Sequence, residues 1–161
     1  MASIDKEIKS KFENDHQRAV VNILYTANWI KNIHMDALKP FNISAQQYNI
    51  LRILRGGADW MAMTDVKDRM IEKSPNTTRL ADKLLDSKLL ERKRSSADRR
   101  VVYVKITDKG LKLLKDIDTE KAMTAQDSIA KNISKKEAKK LSGIIDKLRT
   151  GILTYSKNLK N

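Results

Sequence analysis

The stretch from residue 74 to residue 109 constrains the fold more than any other, because it joins a strong helix start to a pair of extended runs bent around a charged tip. Ser74-Pro75 opens a helix: a serine hydroxyl accepts from an orphan amide, and proline in the first turn gives up a donor that had no partner there. At about 100° per residue, Thr77, Leu80, Ala81, Leu84 and Leu85 fall on one side, with Asn76, Thr78, Arg79, Asp82 and Lys83 on the other. That spacing predicts an amphipathic helix from Pro75 to about Ser87. Leu89 to Arg94 and Val101 to Ile106 then read as strands, joined by Ser95-Ser96-Ala97-Asp98-Arg99-Arg100, and are predicted to pair as a hairpin.

Elsewhere the pattern is helical. Val20, Ile23, Leu24, Ala27, Ile30, Ile33, Ala37 and Leu38 recur at three-and-four spacing, and Pro40 ends that helix. Ser44 with Gln47 has the capping-box form, after which Tyr48, Leu51 and Leu54 mark a short helix closed by Gly56-Gly57. Met61-Ala62-Met63 reads as a short strand, and Thr64 as the cap of a helix to about Ile71 with Val66 and Met70 inward. Thr107 opens a long helix through Leu111, Leu114, Ile117, Ala122, Ala125 and Ile129. Ser134 with Glu137 starts a last one, with Leu141, Ile144, Ile145, Leu148, Ile152 and Tyr155 on its apolar face. The first helix and the last two exceed what a small winged domain needs for its own core, so they are expected to pack against a second copy.

Composition narrows the partners. Lys and Arg number 33 against 20 Asp and Glu, a formal net charge of +13 over 161 residues. Such an excess favours polyanions, nucleic acid first and anionic membrane surfaces on charge alone. Without cysteine, disulfides and thiol switches are excluded within the chain. No apolar run approaches the roughly 20 residues needed to span a bilayer, and the N-terminus lacks a signal-peptide core, so a soluble, cytoplasmic protein is expected. The Asn-x-Ser/Thr triplets at Asn42, Asn76 and Asn132 then read as helix entrances rather than glycosylation sites.

Two short helices, the second exposing Asn, Thr, Arg and Lys, make a helix-turn-helix whose second helix fits a major groove about 12 Å wide. Asn76 can pair bidentately with adenine and Arg79 with guanine, while Thr78 and Lys83 suit thymine methyls or phosphates. Taken alone, the same stretch is equally an amphipathic helix with a solvated polar face. The hairpin changes the balance: from Lys88 to Lys105, seven basic residues (Lys88, Arg92, Lys93, Arg94, Arg99, Arg100, Lys105) face two acids (Glu91, Asp98). Arginine at such a tip can enter a narrow A·T-rich minor groove, and Asp98 is expected to pair with Arg100 and pre-set the tip.

The run Thr78-Arg79-Leu80 through Leu84, Leu89 and Arg92 to Asp98-Arg99-Arg100 and Ile106-Thr107-Asp108-Lys109-Gly110 resembles the MarR family of bacterial transcriptional regulators over nearly the whole chain. The resemblance implies a mainly α fold with a small β-hairpin wing. Residues 40–106 would be the winged helix-turn-helix, and residues 1–39 and 107–161 the helical dimerisation region. It implies a homodimer on a pseudo-palindromic operator, usually as a repressor, released in many members by a small aromatic or anionic effector. The recognition helix would carry Pro75, Asn76, Thr78, Arg79 and Lys83. Arg94, Asp98, Arg99 and Arg100 would be the wing's DNA-facing set, Arg100 the minor-groove residue and Arg99 a phosphate contact or second groove residue. Two departures stand out: Lys88 occupies a turn that usually carries glycine, and Lys67 a position that is usually a small alanine.

For an effector, Trp29, His34, Tyr48 and Trp60 are the candidate lining residues, though rings at such positions also serve as core. His16 and His34, eighteen residues apart on one helix, stand too far apart for one zinc ion, so neither metal nor cofactor is expected. A non-specific architectural nucleic-acid-binding protein is the alternative, supported by Lys131, Lys135, Lys136, Lys139 and Lys140. An enzyme is disfavoured: no Ser-His-Asp or Cys-His set, metal-ligand cluster or Gly-rich phosphate loop is present.

Overall fold

Helix entrances set the frame. Asn14 accepts from the Gln17 amide at 2.9 Å and starts α2 (Asp15–Leu38), after a short α1 (Ile4–Glu7) that sequence reasoning did not foresee. A 3-10 turn (Lys39–Phe41) holds Pro40, and α3 (Ala45–Arg55) begins with the expected reciprocal capping box of Ser44 and Gln47. The elements β1 (Met61–Ala62), α4 (Met63–Arg69), α5 (Thr77–Asp86), β2 (Leu90–Arg94), β3 (Val102–Ile106) and α6 (Asp108–Glu120) follow. The last helix, α7 (Lys135–Asn158), starts where Ser134 and Glu137 bond each other's amides at 3.3 and 2.8 Å. The computed structural model describes residues 3–57, 59–73, 75–120 and 130–158, in two compact units, Met1–Ala122 and Met123–Asn161. Ser74, the stretch with Ala122, Ala125 and Ile129, and the Tyr155 side chain lie outside the described residues.

In the first unit, the antiparallel sheet runs β1-β3-β2, with Met61 opposite Val104 and Arg92 opposite Val104 on the other edge. Its buried residues Met61, Leu90, Val104 and Ile106 meet Ile50, Leu51 and Leu54 of α3, Val66 of α4, Ala81 and Leu84 of α5, and Leu114 of α6 in one core. Two helix starts differ from expectation. Ala62 pairs with Tyr103, so α4 begins at Met63, directly off the strand, and Thr64 lies inside the helix rather than capping it. Likewise α5 begins at Thr77, whose side chain is buried, leaving Pro75 ahead of the helix rather than in its first position.

The α5 exit is a Schellman turn: the Leu89 N–H donates to the Leu84 carbonyl at 2.9 Å and the Lys88 N–H to the Leu85 carbonyl at 2.8 Å. Lys88 therefore takes φ 59°, a left-handed conformation that costs a residue with a Cβ roughly 1–2 kcal/mol. Part of that gain is offset by glycine's greater freedom when unfolded, so Lys88→Gly should stabilise by about 1 kcal/mol and raise the melting midpoint by about 2–4 °C. A thermal melt that shows no rise would mean the turn relaxes around lysine at no cost.

The Ile106-Thr107-Asp108-Lys109-Gly110 run locks onto that turn. Thr107 Oγ1 donates to the Lys88 carbonyl at 2.9 Å and accepts from the Gly110 amide at 3.0 Å, and Lys109 reaches the Ser87 carbonyl at 2.9 Å. A Cβ on Gly110 would stand 2.5 Å from the Leu89 carbonyl oxygen, so glycine is what lets α6 pass this close. Further along α6, Leu114 and Ile117 are fully buried and Asp118 bonds Arg55 of α3 at 2.6 Å.

Candidate nucleic-acid interface

Because Thr77, Ala81 and Leu84 anchor α5 to the core, the opposite side of the helix is turned outward by geometry alone. Asn76, Thr78, Arg79 and Lys83 are exposed there, with Pro75 just ahead of them. The wing supplies Arg94, Asp98, Arg99 and Arg100, all exposed as well.

The wing tip is held by its own hydrogen bonds. Ser95 Oγ accepts from the amides of Ala97 and Asp98, both at 3.2 Å, and the Val101 N–H donates to the Asp98 carbonyl at 2.9 Å. Asp98 Oδ1 accepts the backbone N–H of Arg100 at 2.9 Å. Asp98 thus pre-sets the tip as expected, but by an Asx-type turn rather than by pairing with the guanidinium. Arg100 keeps its fork for another partner.

The seven basic residues of the hairpin do not act alike. Arg92 pairs with Asp82 of α5 at 2.9 Å, Lys93 sits 4.2 Å from the Trp60 ring centre, and Lys105 pairs with Asp59. The hydrogen bond that Lys105 donates to the Asp59 carboxylate holds its ammonium above its ordinary pKa. In contrast, Arg94, Arg99 and Arg100, with Arg79 and Lys83 of α5, form no ion pair among the described residues. Five unanswered cations on one helix face and one hairpin tip repel each other unless an anion screens them. Sequence reasoning missed the Asp82–Arg92 pair, whose signal was Asp82 on the outward face of a helix followed by a basic strand.

The four candidate effector residues are distributed over α2, α3 and the segment before β1. Trp29 and His34 are exposed on α2, Trp29 stacking on Tyr25 with ring centres 6.3 Å apart. Tyr48 on α3 accepts a hydrogen bond from Arg52 at 3.0 Å, and Trp60 precedes β1. None lines the hollow of about 330 Å³ between α4, α5 and the wing, or the open one of about 610 Å³ beside Ser44 and Lys83. Among the described residues no group of three His, Asp or Glu side chains could hold a metal ion, and no helix is long and apolar enough to cross a membrane.

Known proteins share this arrangement. The chain is 33% identical over 100 residues to the HTH-type transcriptional regulator MhqR of Bacillus subtilis, a match covering 62% of this chain and 65% of MhqR. A MarR transcription factor structure from Planctomyces limnophilus is 34% identical, covering 87% of this chain and 99% of that one with a TM-score of 0.64. A mutant form of E. coli MarR, solved with operator DNA, has the same fold at 22% identity, covering 86% of this chain and 99% of that one with a TM-score of 0.73. The family model described as transcriptional regulator SarA/Rot matches residues 32–117, more than half of the chain, which therefore belongs to the SarA/Rot family among the MarR-type winged helix-turn-helix regulators.

Proposed function

We propose that the chain is a sequence-specific DNA-binding transcriptional regulator that grips a pseudo-palindromic operator as a homodimer, with α5 in the major groove and the wing in the flanking minor groove. The observation that carries this reading is the set of five cations without ion-pair partners among the described residues, Arg79, Lys83, Arg94, Arg99 and Arg100, beside the exposed Asn76 and Thr78. In this reading Asn76 and Arg79 read base edges, Thr78 and Lys83 meet thymine methyls or phosphates, and Arg100 enters the minor groove. It acts in the cytoplasm, where bacterial DNA lies, and no catalytic step is assigned to it. Repression, and release by a small aromatic or anionic effector, complete the reading by kinship with MarR-type regulators.

The helices outside the winged core support a dimer. Val20, Leu24, Trp29 and Ile33 of α2 are 43, 65, 60 and 43% exposed, and Leu141, Ile144, Leu148 and Ile152 of α7 are 49, 55, 36 and 56% exposed. Apolar faces of this length are seldom left to water. A two-fold dimer presents two recognition helices to half-sites about 34 Å, one DNA turn, apart.

The test is selection from a random duplex library at about 150 mM salt, followed by affinity for the winner against scrambled DNA. An enriched inverted repeat bound at least about 10³-fold more tightly than scrambled DNA is the expected result. Uniform weak binding would instead favour the architectural reading, for which the exposed Lys135, Lys136, Lys139 and Lys140 of α7 speak.

A further inference from the structure

At their bases the wing strands and α5 share the core, Ala81 and Leu84 with Leu90 and Val104, and beside that packing a hollow opens between them. Its volume is about 330 Å³, with Met63, Ala81, Leu85, Val102 and Val104 among its lining residues, and Asp82 and Arg92 lie on its border. Their side chains bond across it, Arg92 Nη1 to Asp82 Oδ1 at 2.9 Å, joining the outward flank of α5 to the third residue of β2. The covalent link between the two elements runs through the Schellman turn below, and at this height the ion pair ties them directly. Asp82 also stands between Arg79 and Lys83 in the chain, an acid set where a phosphate-facing surface would ordinarily exclude one.

We propose that Asp82 and Arg92 are positioning residues that fix the distance between recognition helix and wing, so that α5 and the wing tip engage adjacent grooves together. The inference rests on the DNA-binding reading above. It has a consequence opposite in sign to simple electrostatics. Removing the Asp82 charge adds net positive charge and frees Arg92, which by Coulomb attraction alone would tighten binding to any DNA. If the pair positions the wing, Asp82→Asn weakens binding to the selected operator while leaving random-duplex affinity equal or higher.

The experiment compares the wild-type protein with D82N, R92Q and the charge-reversed double variant D82R/R92D on selected and scrambled duplexes. Both single variants should lose about tenfold or more in operator affinity, the size expected when a specificity contact is misplaced. The double variant should recover most of it. Melting midpoints should stay within about 2 °C, because a half-exposed pair contributes little to stability. Without DNA, hydrogen exchange at the Ser95 and Val101 amides should quicken in D82N while the α3 amides keep their rates. Operator binding by D82N at or above the wild-type level would overturn the proposal, as would equal losses on operator and scrambled DNA. If the wild-type protein itself shows no operator preference, the DNA-binding reading fails first; unchanged wing exchange in D82N would refute the positioning role even then.

Discussion

Replacing Arg100 with alanine should lower operator affinity by about 10²- to 10⁴-fold without moving the melting midpoint by more than about 2 °C. A hydrogen-bonded charged side chain contributes about 1.5–3 kcal/mol. A dimer carries two wings, so the loss is roughly 3–6 kcal/mol, at 1.4 kcal/mol per tenfold. Stability should hold because Arg100 is exposed and its backbone N–H, which closes the turn onto Asp98, remains in the variant. Lysine at this position keeps the charge but loses the planar fork, so Arg100→Lys should fall between the two. Arg99→Ala should act differently if it touches phosphate: a modest loss on every sequence, with the salt slope shallower by about 0.9 for each phosphate contact removed. Fluorescence anisotropy on the selected operator checks all three. Unchanged affinity in Arg100→Ala would remove the wing from the interface.

What could be read in the sequence, and what could not, divides along the range of the interactions. Both capping boxes, Ser44 with Gln47 and Ser134 with Glu137, were legible because every bond in them lies within four residues. The faces of α5 were legible because periodicity alone separates Leu84 from Arg79. The start of α4 was not, since it depends on Ala62 pairing with Tyr103 forty-one residues later. Burial of Leu114 and Ile117 in α6 was likewise beyond a local reading, because helical spacing gives an apolar face without naming its partner. The same holds for charge. The hairpin's seven basic residues looked alike as a count, yet Arg92, Lys93 and Lys105 are engaged by Asp82, Trp60 and Asp59, each from another part of the chain. Only the assembled fold distinguishes the cations engaged within it from those that form no ion pair among the described residues.

The recognition surface is no firmer than the core beneath it, which gives Leu84→Ala the largest expected effect on stability. Leu84 is fully buried among the residues that join α3, α5 and the sheet, and its carbonyl accepts the Leu89 amide that closes the Schellman turn. Truncation there leaves a cavity bounded by helices and strands that cannot all close on it. The expected cost is about 2–5 kcal/mol, or roughly 4–20 °C in the melting midpoint. Leu84→Met, which conserves volume, should cost less than about 1.5 kcal/mol. Chemical denaturation of the three proteins, with operator affinity measured well below each midpoint, separates two roles. Because α5 is seated by this side chain, Leu84→Ala should lose affinity as well as stability, whereas Arg100→Ala should lose affinity alone. A cost below about 1 kcal/mol for Leu84→Ala would show that neighbours fill the space, which well-packed interiors rarely permit. The seat of the recognition helix would then have to come from its polar ties, Asp82 to Arg92 on its flank and Lys109 to the Ser87 carbonyl just past its last turn.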